Sequence, residues 1–131
     1  MIDHLATLRT YLAAQPALTT LVSSRIYAGR TYPPKGYTPG QRAICFNSRG
    51  GQVAYHAQTL RDSIQFKCYG ADEVDAMTVY RALVDVLHDA SGVDIRHAEL
   101  EISGYPLQEP ETDWHFVLTY FTVHYMTGLG D

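Results

Sequence analysis

The sequence predicts an α+β fold, an antiparallel or mixed sheet of about four to five strands with two main helices packed on one face. Three observations carry this prediction. Residues 63–69 alternate, with Ile64, Phe66 and Cys68 on one side of a pleat and Ser63, Gln65, Lys67 and Tyr69 on the other, so one face is built to be covered. That strand turns through Gly70-Ala71-Asp72 into an amphipathic helix with Ala76, Met77, Tyr80, Leu83, Val84 and Leu87 at helical spacing, which is the cover. The elements follow one another as helix, hairpin-like strands, helix and two further strands, without the regular strand and crossover-helix alternation of a parallel sheet.

Each element has a local reason. Asp3 is placed to cap a first helix that carries Leu5, Leu8 and Leu12 on one stripe; Gln15-Pro16 ends it, and Pro16 opens a short second turn through Leu21. Arg25-Ile26-Tyr27 reads as a brief extended piece. Residues 28–41 are too rich in glycine and proline for regular structure, and a connector of that length points to function. Residues 42–48 form a strand, Gly50-Gly51 supplies a turn, and 53–58 return as a ragged strand before the strong one at 63. Asp72 caps the main helix, with Glu73 and Asp75 in its first turn where the helix dipole favours negative charge, and Ser91-Gly92 stops it. Residues 93–104 alternate again, placing His97, Glu99 and Glu101 on one face and Ala98, Leu100 and Ile102 on the other. A polar, proline-bearing loop over 105–113 leads to a final strand, 114–126, rich in aromatic and β-branched residues.

Composition narrows the function classes. A chain of 131 residues, 46% hydrophobic and 18% charged, fits one domain with a core of its own. The expectation is a cytoplasmically made protein: no apolar stretch approaches the roughly 20 residues of a membrane-spanning helix, and the N-terminus lacks a signal-peptide pattern. A formal net charge of -4 with ten scattered Lys and Arg argues against a nucleic-acid grip, which needs clustered cations. Cys45 and Cys68 both fall in strand patterns, where free thiols act as small buried hydrophobes.

Chemistry is hard to find. His97, Glu99 and Glu101, joined by His115 or His124, have the right donor atoms for zinc or iron, but alternating acids on a strand also mark a wet face or a subunit contact. Ser48, Ser63, Ser91 and the two cysteines lack a nucleophile motif, and neither Arg49-Gly50-Gly51 nor Gly128-Leu129-Gly130 joins a strand to a helix N-terminus as a phosphate cradle does. No catalytic residue, cofactor site or metal site is assigned, and the expectation is that the chain is not an enzyme. The long loop is different. Tyr27, Tyr32 and Tyr37 bracket it with Arg30, Lys35 and Arg42, and tyrosine and arginine dominate binding patches, the equal alternative being that the tyrosines pack the loop onto its own domain. Arg30, Tyr32, Lys35, Tyr37 and Arg42 are therefore the interaction candidates, with Glu99 and Glu101 as salt partners.

The order of these features resembles the tail terminator, or tail completion, proteins of long-tailed (siphovirus-like) bacteriophages and related phage-like particles. The resemblance is carried by the leading helix with Pro16-Ala17-Leu18-Thr19-Thr20-Leu21-Val22, by Arg25-Ile26-Tyr27, by the proline-rich loop, by Ala43-Ile44-Cys45-Phe46, and by Ile64-Gln65-Phe66-Lys67-Cys68-Tyr69 entering the helix. It spans the chain to about Leu87 and weakens beyond. Residues 50–58 and 127–131 depart from it. The resemblance implies a homo-hexameric ring at the head-proximal end of the virion tail, assembled in the host cytoplasm. Such a ring stops addition of tail tube protein, offers a surface to the head–tail connector protein and lets DNA pass unbound, with no membrane involved. Ring closure needs heterologous contacts, which the edges of an open sheet supply. Three alternatives remain: a neighbouring head–tail neck protein, a small metal-dependent enzyme using His97, Glu99, Glu101 and His115, and a ligand-binding module.

Overall fold

The computed structural model describes residues 2–53 and 59–126. The Asp3 carboxylate accepts the Ala6 N–H at 3.1 Å and starts α1 (His4–Ala13); Pro16 opens α2 (Pro16–Val22). Then come β1 (Ile26–Ala28), β2 (Ala43–Val53), β3 (Thr59–Gly70), α3 (Glu73–Leu87), β4 (Ile95–Gln108) and β5 (His115–Met126). The sheet order is β1-β2-β3-β5-β4, with β1 parallel to β2 and every other pair antiparallel, so the mixed form of the α+β expectation is the one observed.

The helices lie on one face of this sheet, as their buried residues show. Leu8 and Leu12 of α1, Leu18 and Val22 of α2, and Val79, Leu83 and Leu87 of α3 pack with Ile44, Phe46, Ile64, Phe66, Cys68, Val117 and Phe121 in one fully buried cluster. Phe66 is at its centre, with ring centroids 5.3 Å from Phe46 and 5.4 Å from Phe121. A buried phenylalanine of this kind contributes about 1.5–3 kcal/mol relative to an exposed one.

One charged group enters this face. Asp62 sits between Leu60 and Ile64 on β3 and is 1% exposed. Its two oxygens are satisfied separately: Oδ2 by His4 Nε2 at 2.7 Å and Oδ1 by the Ser48 hydroxyl at 2.8 Å. Helix α1 is thus tied to the middle of the sheet by a polar pin, because a buried carboxylate without partners is strongly disfavoured.

Three expectations need correction. Gly50-Gly51 makes no turn; both residues lie inside β2 at a bulge, where the register with β3 shifts between Ser48 and Gly51. Gly50 has a φ of 105°, and a Cβ on Gly51 would collide with the Arg61 carbonyl, so the pair reads as bulge glycines. Val53 accordingly ends β2 and pairs with Leu60; the rest of the expected return strand, 54–58, lies outside the described residues, as do 127–131. Residues 105–108, expected in a loop, continue β4, where Pro106 is tolerated because β4 is an edge strand. Irregularities between Leu100 and Ile102, and between Ile102 and Tyr105, also break the alternation: Ala98 and Leu100 oppose the core residues Val123 and Phe121, but Ile102 opposes Tyr120 on the other face.

The outer edge of β4 is occupied by α3 and the residues after it. The Asp89 N–H donates to the Ala98 carbonyl at 2.7 Å, the Leu100 N–H donates to His88 Nδ1 at 3.0 Å, and the Gly104 N–H donates to the Tyr80 hydroxyl at 2.9 Å. The open rim expected from an edge strand is therefore closed at three backbone positions.

Candidate interaction surface

The face of the sheet away from the helices is where the candidate residues gather. Strand alternation puts Ala43, Cys45, Lys67, Tyr69, Phe116, Leu118 and Tyr120 there, opposite in direction to Ile44, Phe66, Cys68 and Val117. At the Gly70 end this face is covered. Ala43, Cys45, Tyr69 and Phe116 form a second buried cluster, against which Tyr27, Tyr37, Trp114 and Leu118 pack.

The long loop makes that cover. Since β1 and β2 run parallel, the chain must return along the sheet between Ala28 and Ala43, and Tyr37 anchors the return with its ring 4.9 Å from Trp114 and 6.0 Å from Tyr69. The Tyr37 hydroxyl donates to the Gln41 carbonyl, and the Tyr69 hydroxyl donates to Glu109 at 2.7 Å. Burial pushes the Tyr37 phenol up to about 12, and burial followed by the Glu109 bond holds the Tyr69 phenol far above its ordinary range. The loop ends on an ion pair, Arg42 Nη2 to Asp75 Oδ1 at 2.7 Å, which holds the Asp75 carboxyl below its ordinary range. Asp75 belongs to α3, so this pair fixes the end of the loop to the helical layer.

The seven candidate residues divide by what they touch. Tyr37 packs in the aromatic cluster and Arg42 is tied to Asp75. Glu101 accepts from Arg49 at 3.2 Å, from Thr122 at 2.9 Å and from Ser63 at 3.1 Å, while Arg49 lies 4.2 Å over the Tyr120 ring. The other four look outward more. Arg30 lies over the Tyr32 ring at 5.6 Å, Tyr32 is 59% exposed, and Lys35 and Glu99 are exposed. Beside Tyr32 opens a cavity of about 520 Å³ lined by Pro33, Lys67, Glu109, Glu111 and Trp114.

Sequence reasoning missed the apolar rim of this face. Ile102, Tyr105 and Leu107 are among the exposed large hydrophobic residues, at successive outward positions of β4 opposite Tyr120, Leu118 and Phe116. The signal was present in Tyr105-Pro106-Leu107, where two apolar residues flank a proline in a segment expected to be polar loop.

The proposed metal ligands are not all neighbours. His97 pairs with His124, their rings 6.2 Å apart, and His97 Nε2 lies 3.8 Å from Glu99 and 3.9 Å from Asp89. Glu101 turns to Arg49, and His115 sits at the far end of β5 opposite Gln108. Among the described residues, no group of three or more His, Cys, Asp or Glu side chains is arranged to hold a metal ion. Burial raises the Cys45 thiol to about 12 and the Cys68 thiol further, which removes the thiolate a nucleophile needs. Ser48, Asp62 and His4 have the composition of a hydrolytic triad but a different order: Asp62 stands in the middle and takes both partners.

No family model and no curated protein matches the sequence. Among solved structures, the chain is similar in fold to a chain described as the virion of a native gene transfer agent (GTA) particle, with a TM-score of 0.64 at 15% identity, covering 95% of this chain and 99% of that one.

Proposed function

We propose that this chain is a structural subunit of a phage-like virion: a tail terminator that forms a ring on the end of the tail tube, ends tube growth and offers a surface to the head. The observation that carries the reading is the fold likeness to a gene transfer agent virion chain over nearly the full length of both chains. The order of sequence features that resembles tail terminators supports it independently. So does the surface: a long loop presents Tyr32 and Lys35 to solvent, with Arg30 stacked beside Tyr32, on a face whose β4 rim is apolar. A net charge of -4 suits a conduit that DNA traverses without adhering. In this reading the protein works by shape and contact, with no catalytic step.

Native mass spectrometry of the purified chain, alone and with tail tubes, tests this. The expected result is a hexamer, or a monomer that becomes a ring on tubes. A monomer at every concentration that ignores tubes overturns the reading. Tyr32→Ala then separates contact from scaffold: it leaves stability unchanged and weakens assembly, whereas Tyr37→Ala lowers stability because it opens the aromatic cluster.

A further inference from the structure

We propose that His88 is a pH-sensitive lock on the outer edge of β4: the neutral imidazole closes the edge at Leu100, and protonation of the ring opens it. The lock belongs to the single chain and is independent of what that chain assembles into.

The geometry begins at the end of α3. His88 is the C-cap, its N–H donating to the Val84 carbonyl at 2.9 Å, and Asp89 follows with a φ of 61°, in the left-handed region that aspartate tolerates better than most side chains. That reversal lays the chain against β4, where the Asp89 N–H donates to the Ala98 carbonyl at 2.7 Å. It also sets the His88 ring two residues further along the strand, with Nδ1 3.0 Å from the Leu100 nitrogen.

The direction of this bond makes it sensitive to protons. The Leu100 N–H can only donate, so Nδ1 must offer its lone pair, which fixes the ring as the neutral tautomer with its proton on Nε2. A second proton on the imidazole goes to Nδ1 and leaves two N–H groups pointing at each other. Attraction turns to repulsion in one step. Imidazoles are the side chains that make this change between about pH 5 and pH 8. The other two closures of the edge do not share it: Asp89 to Ala98 is a backbone bond, and Gly104 donates to the Tyr80 hydroxyl, which keeps its lone pairs in mild acid.

The charges around the ring pull the other way. Asp89 Oδ2 lies 3.6 Å from His88 Nε2 and attracts the ring only when it is charged. The same carboxylate faces His97 of β4, whose Nε2 is 3.9 Å from Oδ1; Glu99 lies 3.8 Å from that Nε2, and the His124 ring of β5 stands beyond it. On α3 the charged residues within two turns of His88 are Arg81 and Asp85, both exposed. The His88 side chain is 45% exposed, so protons reach it without any opening of the fold. Release is local, because Leu87 next to it is fully buried and β4 remains paired to β5. One backbone donor is freed between two fixed closures, and a donor at a sheet edge is what the carbonyl of an added strand pairs with.

Amide hydrogen exchange in the isotope-labelled full chain, corrected for the intrinsic rate at each pH, tests the lock. Between about pH 7.5 and about pH 5.5 the protection of the Leu100 amide falls about tenfold, while that of Gly104 changes by less than about twofold. His88→Asn, whose Oδ1 takes the place of Nδ1 and accepts at either pH, removes the pH dependence at Leu100. Equal protection of Leu100 at the two pH values, a parallel fall at Gly104, or a His88→Asn chain that titrates like the parent overturns the lock. Should that variant not fold, Asp89→Asn decides in its place. With the attraction for the charged ring gone, the release moves to lower pH, and a midpoint that stays where it was overturns the lock.

Discussion

The two faces of the sheet are finished to different degrees. Against the helices, Phe66, Ile64 and Val117 are fully buried in one continuous cluster, and the buried carboxylate there, Asp62, has a partner for each oxygen. On the other face the cover is partial: a loop and Trp114 shelter Tyr69 and Phe116 at one end, and Ile102, Tyr105 and Leu107 stand exposed along β4. A chain of this size needs the first face to fold. The second face holds apolar area beyond what folding uses, and such area has a use when another surface covers it.

Substitutions can break or sharpen this contrast. Phe66→Ala removes the centre of the helix-facing core and is expected to cost about 3–5 kcal/mol, whereas Leu107→Ser on the outer rim is expected to stay within about 0.5 kcal/mol. Urea unfolding of both variants measures the difference, and equal losses would erase the distinction between the faces. His4→Ala comes next. It strips one partner from buried Asp62 and is expected to cost about 1–3 kcal/mol, read as a lower urea midpoint; an unchanged midpoint means the pin contributes nothing.

A smaller effect than that of His4→Ala belongs to the tie between the faces, Arg42 with Asp75. The folded Asp75 carboxyl titrates below its unfolded value, chiefly through its hydrogen bond from Arg42. Its contribution is therefore complete above the ordinary aspartate range and fades as pH falls through the lowered folded value. For this partly exposed pair, screened by solvent on one side, the contribution is expected to be within about 1 kcal/mol. Unfolding midpoints near neutrality and in acid, compared between the parent and Asp75→Asn, check it: the variant loses part of the acid sensitivity, and identical pH profiles remove the tie from the account.

What the sequence revealed follows where local rules and tertiary packing agree. Asp72 does cap α3, accepting the Asp75 N–H at 2.8 Å, and the alternation of β3 separates Ile64, Phe66 and Cys68 from Lys67 as expected. The failures lie where one residue carries two meanings. Gly50-Gly51 has the look of a hairpin turn, and only the pairing with β3 makes it a bulge. Pro106 reads as a breaker unless its strand is known to be last in the sheet. The irregularities of β4 turn Ile102 outward, and no local periodicity announces them. Of the candidate site, the composition of the loop was legible, but not the division of labour inside it: that Tyr37 faces Trp114 while Tyr32 faces water depends on a residue far along the chain.

The closed edge of β4 bears on how the chain avoids pairing with copies of itself. A strand of 14 residues at the margin of a sheet is a template for runaway strand addition, the first step toward insoluble aggregates. Here the imidazole of His88 and the phenol of Tyr80 sit on that template, and the bulges and Pro106 bend what is left of it. The fold thus protects itself against indiscriminate pairing of its longest strand, and leaves side chains, not backbone, as what that margin offers to a neighbour.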